Sequence, residues 1–138
     1  MSSLEHLRSG YLYEARFAAM CLENDLDPHP CPGGYLRHDY VVTNSAGNCF
    51  RVQVKGTNYQ NHNGKKPRYT VHAAWGKEKN PLDCSKVDVF AAHVKELNVW
   101  YLIPCLRLTG RAIHLYPNRE NSAGRYEKFK ENWDCFKV

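Results

Sequence analysis

The sequence predicts an α/β (α+β) domain: a mixed central β-sheet flanked by helices. Three observations carry this. Leu12, Ala15, Ala19 and Leu22 recur at helical spacing near the start, with Leu4 and Leu7 upstream. Six short runs rich in Val, Ile, Tyr, Phe and Thr follow, punctuated by Gly, Pro, Asn and Asp. An irregular stretch, GKEKNPLDCS, separates the first three runs from the last three and reads as a crossover.

The elements follow in order. Ser2 and Glu5 have the form of a capping box. They open one helix, or two abutting near Gly10, from about Ser3 to Asn24. Asp27-Pro28 and the cluster PHPCPGG then break the chain. Strands are expected at about 36–43, 49–56 and 69–75, with the polar stretch NYQNHNGKKPR as a loop between the last two. GKEKNPLDCS has room for a helical turn. VDVFAAHV, VWYLIPCL and RAIHLYP read as three more strands. KELN joins the first two as a hairpin, and LTG leads to the third. WYLIP is too apolar for an exposed edge and belongs in the core or in a dimer interface. In the tail, Tyr126, Phe129 and Trp133 share one side, which predicts a closing helix from about Gly124 to Trp133. The 138 residues form a single domain, 1–138, with no repeat and no linker.

Composition narrows the class. Hydrophobic residues make up 43% and charged residues 24%, as in ordinary globular proteins. No apolar run approaches the ~20 residues that cross a bilayer. MSSLEHLRSG lacks an apolar signal core, so no membrane association and a cytoplasmic location are expected. The six cysteines include no C-x-x-C pair and no zinc-type spacing, and are expected to be reduced. Net charge is +5, unevenly placed. Between Cys49 and Asn80 there are seven Lys or Arg and one acid, Glu78. That density points to a polyanion partner or to a solvated loop.

The chemistry concentrates in one hairpin, HDYVVTNSAGNCFRVQVKG. Side chains alternate between strand faces. A turn centred on Ala46 sets Thr43 opposite Cys49, Val41 opposite Arg51 and Asp39 opposite Gln53. Opposed Cβ atoms lie roughly 4.5–5.5 Å apart. Asp39, Gln53 and Lys55 should therefore converge on one face. A carboxylate and an amide oxygen are hard ligands suited to Mg²⁺. Such an ion polarises a phosphodiester and acidifies a bound water. A lysine two residues beyond a ligand can orient the attacking water or stabilise developing charge.

At these residues the sequence resembles the PD-(D/E)XK nuclease superfamily. Asp39 matches the motif Asp, and Gln53-Val54-Lys55 matches the (Glu/Gln)-x-Lys half. Gln53 replaces the commoner Glu and removes one anionic ligand. The chain looks most like small members with Gln there, notably group I intron homing endonucleases of this fold, with archaeal Holliday-junction resolvases next. The resemblance implies a restriction-endonuclease-like core and a Mg²⁺-dependent DNA endonuclease, with Mn²⁺ as a possible substitute. It also implies a third metal-site residue on the first helix, and Glu14 in GYLYEARFAAM is the match. Asp39, Gln53 and Glu14 would hold the metal, and Lys55 would position the water. DNA would be gripped by Asn58, Lys65, Lys66 and Arg68 in the loop after the hairpin, and by the flanking Arg37 and Arg51. A homodimer or homotetramer is implied, because cutting both strands takes two sites. Three alternatives stay open: a structure-specific junction resolvase, a DNA-binding module on a degenerate nuclease fold, and an accessory or interaction protein for which the basic loop is incidental.

Overall fold

The computed structural model describes residues 3–32, 37–57, 68–75, 80–118 and 124–138. Ser2 of the capping box and most of the expected basic loop, 58–67, lie outside them. A single helix, α1 (Ser3–Glu23), runs through Gly10 without a break. A mixed five-stranded sheet follows, in the order β1-β2-β3-β7-β8. Its strands are β1 (Asp27–Pro30), β2 (Tyr40–Thr43), β3 (Cys49–Thr57), β7 (Val89–Val94) and β8 (Val99–Pro104). Between β3 and β7 in sequence lie β4 (Tyr69–His72), β5 (Ala74–Trp75) and β6 (Asn80–Pro81), and β9 (Ala112–Leu115) comes last. Only the β3–β7 pair is parallel within the five-stranded sheet, which makes the intervening segment the expected crossover.

Each sheet face carries its own core. Alternation along β3 sends Val52 and Val54 toward α1, where Phe17, Cys21, Trp100, Leu102 and Trp133 complete one cluster. Along β7 the alternate residues Phe90, Ala92 and Val94 face a second cluster with Tyr69, Val71, Ile113 and Leu115 of the β4–β9 ribbon. WYLIP sits inside: Trp100, Tyr101, Leu102 and Ile103 are all at most 1% exposed.

Five expectations are corrected. First, the leucine stripe of α1 is not its packed face: Leu4, Leu7 and Leu22 are 55%, 59% and 62% exposed. The helix docks through Tyr13, Phe17 and Cys21, at i, i+4 and i+8. Second, Asp27-Pro28 does not end regular structure. DPHP is an edge strand antiparallel to β2, where a proline's missing N–H can face solvent.

Third, the run at 69–75 divides at Ala73, and β9 leaves the main sheet to pair with β4. A 3₁₀ turn, Cys105–Arg107, redirects the chain ahead of the LTG segment. Fourth, the tail forms two 3₁₀ turns, Glu127–Phe129 and Trp133–Phe136, in place of a helix. The chain there wraps the edge strand β8, with Glu131 N–H donating to Trp100 O at 2.7 Å. Tyr126 and Phe129 consequently enter one core, and Trp133 and Phe136 the other. One straight helix face cannot serve both sides of a sheet. Fifth, Cys84 and Cys105 form a disulfide, with Cα atoms 5.6 Å apart. The crossover brings these two thiols together across 21 positions of sequence. Cys21, Cys31, Cys49 and Cys135 are free, and Cys21 is a buried core residue.

Candidate active site

The hairpin has the expected register, with Thr43 opposite Cys49, Val41 opposite Arg51 and Tyr40 opposite Val52. Asp39 begins the pairing: its N–H donates to Val52 O at 2.8 Å, and its Oδ2 accepts the Val54 N–H at 2.7 Å. The carboxylate is thereby pinned over the middle of β3. Lys55 follows on the same strand with its side chain exposed. From the other side comes α1, held down by Phe17 and Cys21, which presents Glu14 one residue from the docked Tyr13.

Glu14, Asp39 and Lys55 line one open cavity of about 520 Å³, together with His6, Ser9, Gly10, Tyr13, Val54, Gly56 and Thr57. A second cavity of about 390 Å³ adjoins it and shares Glu14 and Asp39. A smaller one, about 260 Å³ near Asn24 and Asn44, contains none of the expected site residues.

The electrostatics follow from this packing. Burial pushes the Asp39 carboxyl above its usual range, against the pull of the Val54 N–H, Lys55 and His38. Burial also raises Glu14, and the Asp39 charge adds to the rise while Lys55 opposes it. Cys31, on the wall of the second cavity, is raised by burial and by Asp39.

Gln53 is placed differently. It is 7% exposed and lines neither cavity, and Val52 and Val54 on either side of it face α1. Its Oε1 is a buried oxygen that accepts no hydrogen bond among the described residues. Leaving such an acceptor unpaired costs about 1–3 kcal/mol, so its retention calls for a partner of another kind. No group of three His, Cys, Asp or Glu is clustered among the described residues. The carboxylates that line the cavity are those of Glu14 and Asp39, and the Gln53 amide lies outside its lining.

The expected DNA contacts are scattered. Arg51 is committed to Asp88: Nε and Nη2 reach the two carboxylate oxygens at 3.0 Å each, and the Arg51 N–H donates to Oδ2 at 2.7 Å. That fork ties β3 to the entrance of β7, and hydrogen bonding to Arg51 holds the Asp88 carboxyl below its usual range. Arg37 is half-buried, and its charge helps lower the carboxyl of Asp83. Arg68 is half-buried near His114 on the ribbon. Asn58, Lys65 and Lys66 lie outside the described residues.

Several site-lining residues were not anticipated. His6, Gly10 and Glu14 share a helix face at i, i+4 and i+8, a spacing visible in the sequence. Tyr13 and Gly56 form a contact that no local pattern announces. A Cβ on Gly56 would collide with the Tyr13 ring, so glycine lets α1 approach the site strand.

No family model matches this chain, and no curated protein does. A solved structure of a bacterial homing endonuclease, I-Ssp6803I, is similar to it with a TM-score of 0.77. The similarity covers 93% of this chain and 90% of that one at 21% identity. A likeness so extensive in space and so low in identity concerns the fold: this chain shares the fold of that structure.

Proposed function

We propose that the protein is a metal-dependent DNA endonuclease of the site-specific, homing or restriction-like kind. The observation that carries the reading is the convergence of Glu14, Asp39 and Lys55, from three separate elements, on one cavity. The similarity to a homing endonuclease supports it. DNA is the proposed substrate. No helix among the described residues is long and apolar enough to cross a membrane.

The donor set fits a hard divalent cation. Two carboxylates crowded at one site gain from a counter-charge. Asp39 and Glu14 would hold Mg²⁺ or Mn²⁺, which when bound polarises a phosphodiester and acidifies a coordinated water, and Gln53 would join them only by turning its amide toward the cavity. Asp39 is fixed by the Val54 N–H and needs no reorganisation to serve. Lys55 stands beside both carboxylates, where its ammonium orients the attacking water and stabilises charge growing on the phosphate. Two copies acting together would cut both strands of a duplex.

The test compares wild type with Asp39→Ala on linear duplex, supercoiled plasmid and a four-way junction, in Mg²⁺ and in Mn²⁺. Cleavage of linear or supercoiled DNA by wild type alone supports the reading. Preferential cleavage of the junction reassigns the protein to structure-specific resolution. Binding without cleavage in either metal means either a DNA-binding module or a substrate that lacks the target.

A further inference from the structure

Gly10 has no role among the described residues that requires glycine. It lies inside α1, where glycine is among the least favourable residues. Among the described residues only Gly47 and Gly110 are glycines with positive φ, so Gly10 is not kept for its backbone. A Cβ added there would meet nothing within 4 Å among the described residues, so none of them needs the gap either. Gly56 is the contrast, since its missing side chain is filled by Tyr13.

Gly10 lines both cavities at the carboxylate pair, together with His6, Glu14 and Asp39. On one side the groove continues to Lys55 and Thr57. On the other it continues to Leu7 and Tyr11, and Tyr11 is 71% exposed. A strand running past a scissile phosphate needs room on both sides of the reacting group. It also needs cationic or donor groups for the backbone and an aromatic face for a base or sugar. Lys55, His6 and Tyr11 supply these along one continuous path.

We propose that Gly10 is a notch over which one nucleic-acid strand crosses α1, with its scissile phosphate at Asp39 and Glu14 and flanking nucleotides in the two cavities. This rests on the nuclease reading and names the substrate path at that site. A side chain at position 10 would stand in the strand's way while improving the helix.

The test uses Gly10→Ala and Gly10→Leu in the full chain. Binding to a labelled duplex and to a labelled single strand is measured in the Asp39→Asn background, where nothing is cut. Cleavage is measured with Asp39 intact, and thermal melting and solution mass are recorded for all. Gly10→Ala should melt about 3 °C higher than wild type. Gly10→Leu should weaken binding at least about tenfold and raise KM, with Gly10→Ala intermediate. If both variants bind and cut like wild type, the notch is refuted while the nuclease reading stands. If their solution mass changes and strand affinity does not, Gly10 belongs to a contact between copies and the proposal is wrong. If wild type neither binds nor cuts DNA, the nuclease reading fails and the proposal fails with it.

Discussion

Gly56→Ala should damage both stability and activity, through one contact. The new Cβ would occupy the space now held by the Tyr13 ring. Gly56 carries no positive φ, so alanine is acceptable to the backbone and the penalty is steric alone. Tyr13 also meets the buried His93 ring edge-on, with centroids 5.6 Å apart, which limits its retreat. Overpacking of this kind costs about 2 kcal/mol. Unfolding entropy scales with length, and for 138 residues it is about 0.29 kcal/mol/K. The expected loss is thus about 7 °C in Tm by calorimetry. Glu14 is the next residue along α1, so a ring pushed outward drags a site carboxylate with it. A displacement of about 1 Å costs on the order of 100-fold in rate. The decisive control is the double variant. In a Tyr13→Ala background the clash partner is gone, and Gly56→Ala should become nearly neutral, with a coupling of about 1–2 kcal/mol. If Gly56→Ala melts within about 1 °C of wild type, or costs as much with Tyr13 absent, the helix–strand contact does not set the site.

Three further outcomes are expected. Asp39→Asn should abolish cleavage while raising the Tm in chelator. The folded state holds this carboxyl above its unfolded value, so its ionisation weakens folding progressively as pH rises through that interval. Asparagine retains an acceptor for the Val54 N–H, and a lower Tm would refute the argument; Mg²⁺ should raise the Tm of wild type more than that of the variant. Asn44→Ala should cost about 3 kcal/mol, roughly 10 °C. Asn44 donates to Phe136 O and Val138 O and accepts from the N–H groups of Ala46 and Asn48, tying the chain end to the hairpin turn; a calorimetric loss under about 3 °C would be too small for that tether. Stability should fall as pH drops below about 6.5, in part through His93, whose folded value is depressed by burial. Its Nε2–H donates to Asn98 Oδ1, with Arg16, Lys95 and Glu131 as the charged neighbours, and charging the ring favours the unfolded chain. Urea titrations at several pH values should show a shallower acid slope for His93→Gln, and an unchanged slope would assign the effect elsewhere.

The hairpin was legible because a period of two combined with buried valines leaves one register that keeps Val42, Val52 and Val54 inside. Asp39 and Lys55 then fell beside each other by arithmetic. Gln53 shows the limit of that arithmetic: it shares strand parity with Lys55, yet it is buried while Lys55 opens to the cavity. Alternation gives the side of a strand but not the point where the neighbouring layer ends. The tail failed for a related reason. Tyr126, Phe129, Trp133 and Phe136 are spaced like a helix face, but they serve two cores on opposite sides of the sheet. No local pattern says which core will claim an aromatic. The disulfide was illegible as well, because the crossover rather than any cysteine spacing joins Cys84 to Cys105.

The helix carries the most instructive error, because the leucines that mark it as amphipathic are not those that dock it. Its fully buried residues, Phe17 and Cys21, belong to its second half, whereas Leu4, Leu7 and Tyr11 in the first half remain exposed. The first half is therefore an overhang, cantilevered from the core and projecting beside the carboxylates. Glu14 sits at the junction of the two halves, between the packed Tyr13 and Phe17 of the anchoring turn. His6 and Gly10 sit on the overhang, where evolution is free to choose side chains without regard to the core. That division explains why hydrophobic patterning misread the face. It also explains why the site-lining residues of the overhang follow a helical spacing yet obey no packing rule: they line open cavities.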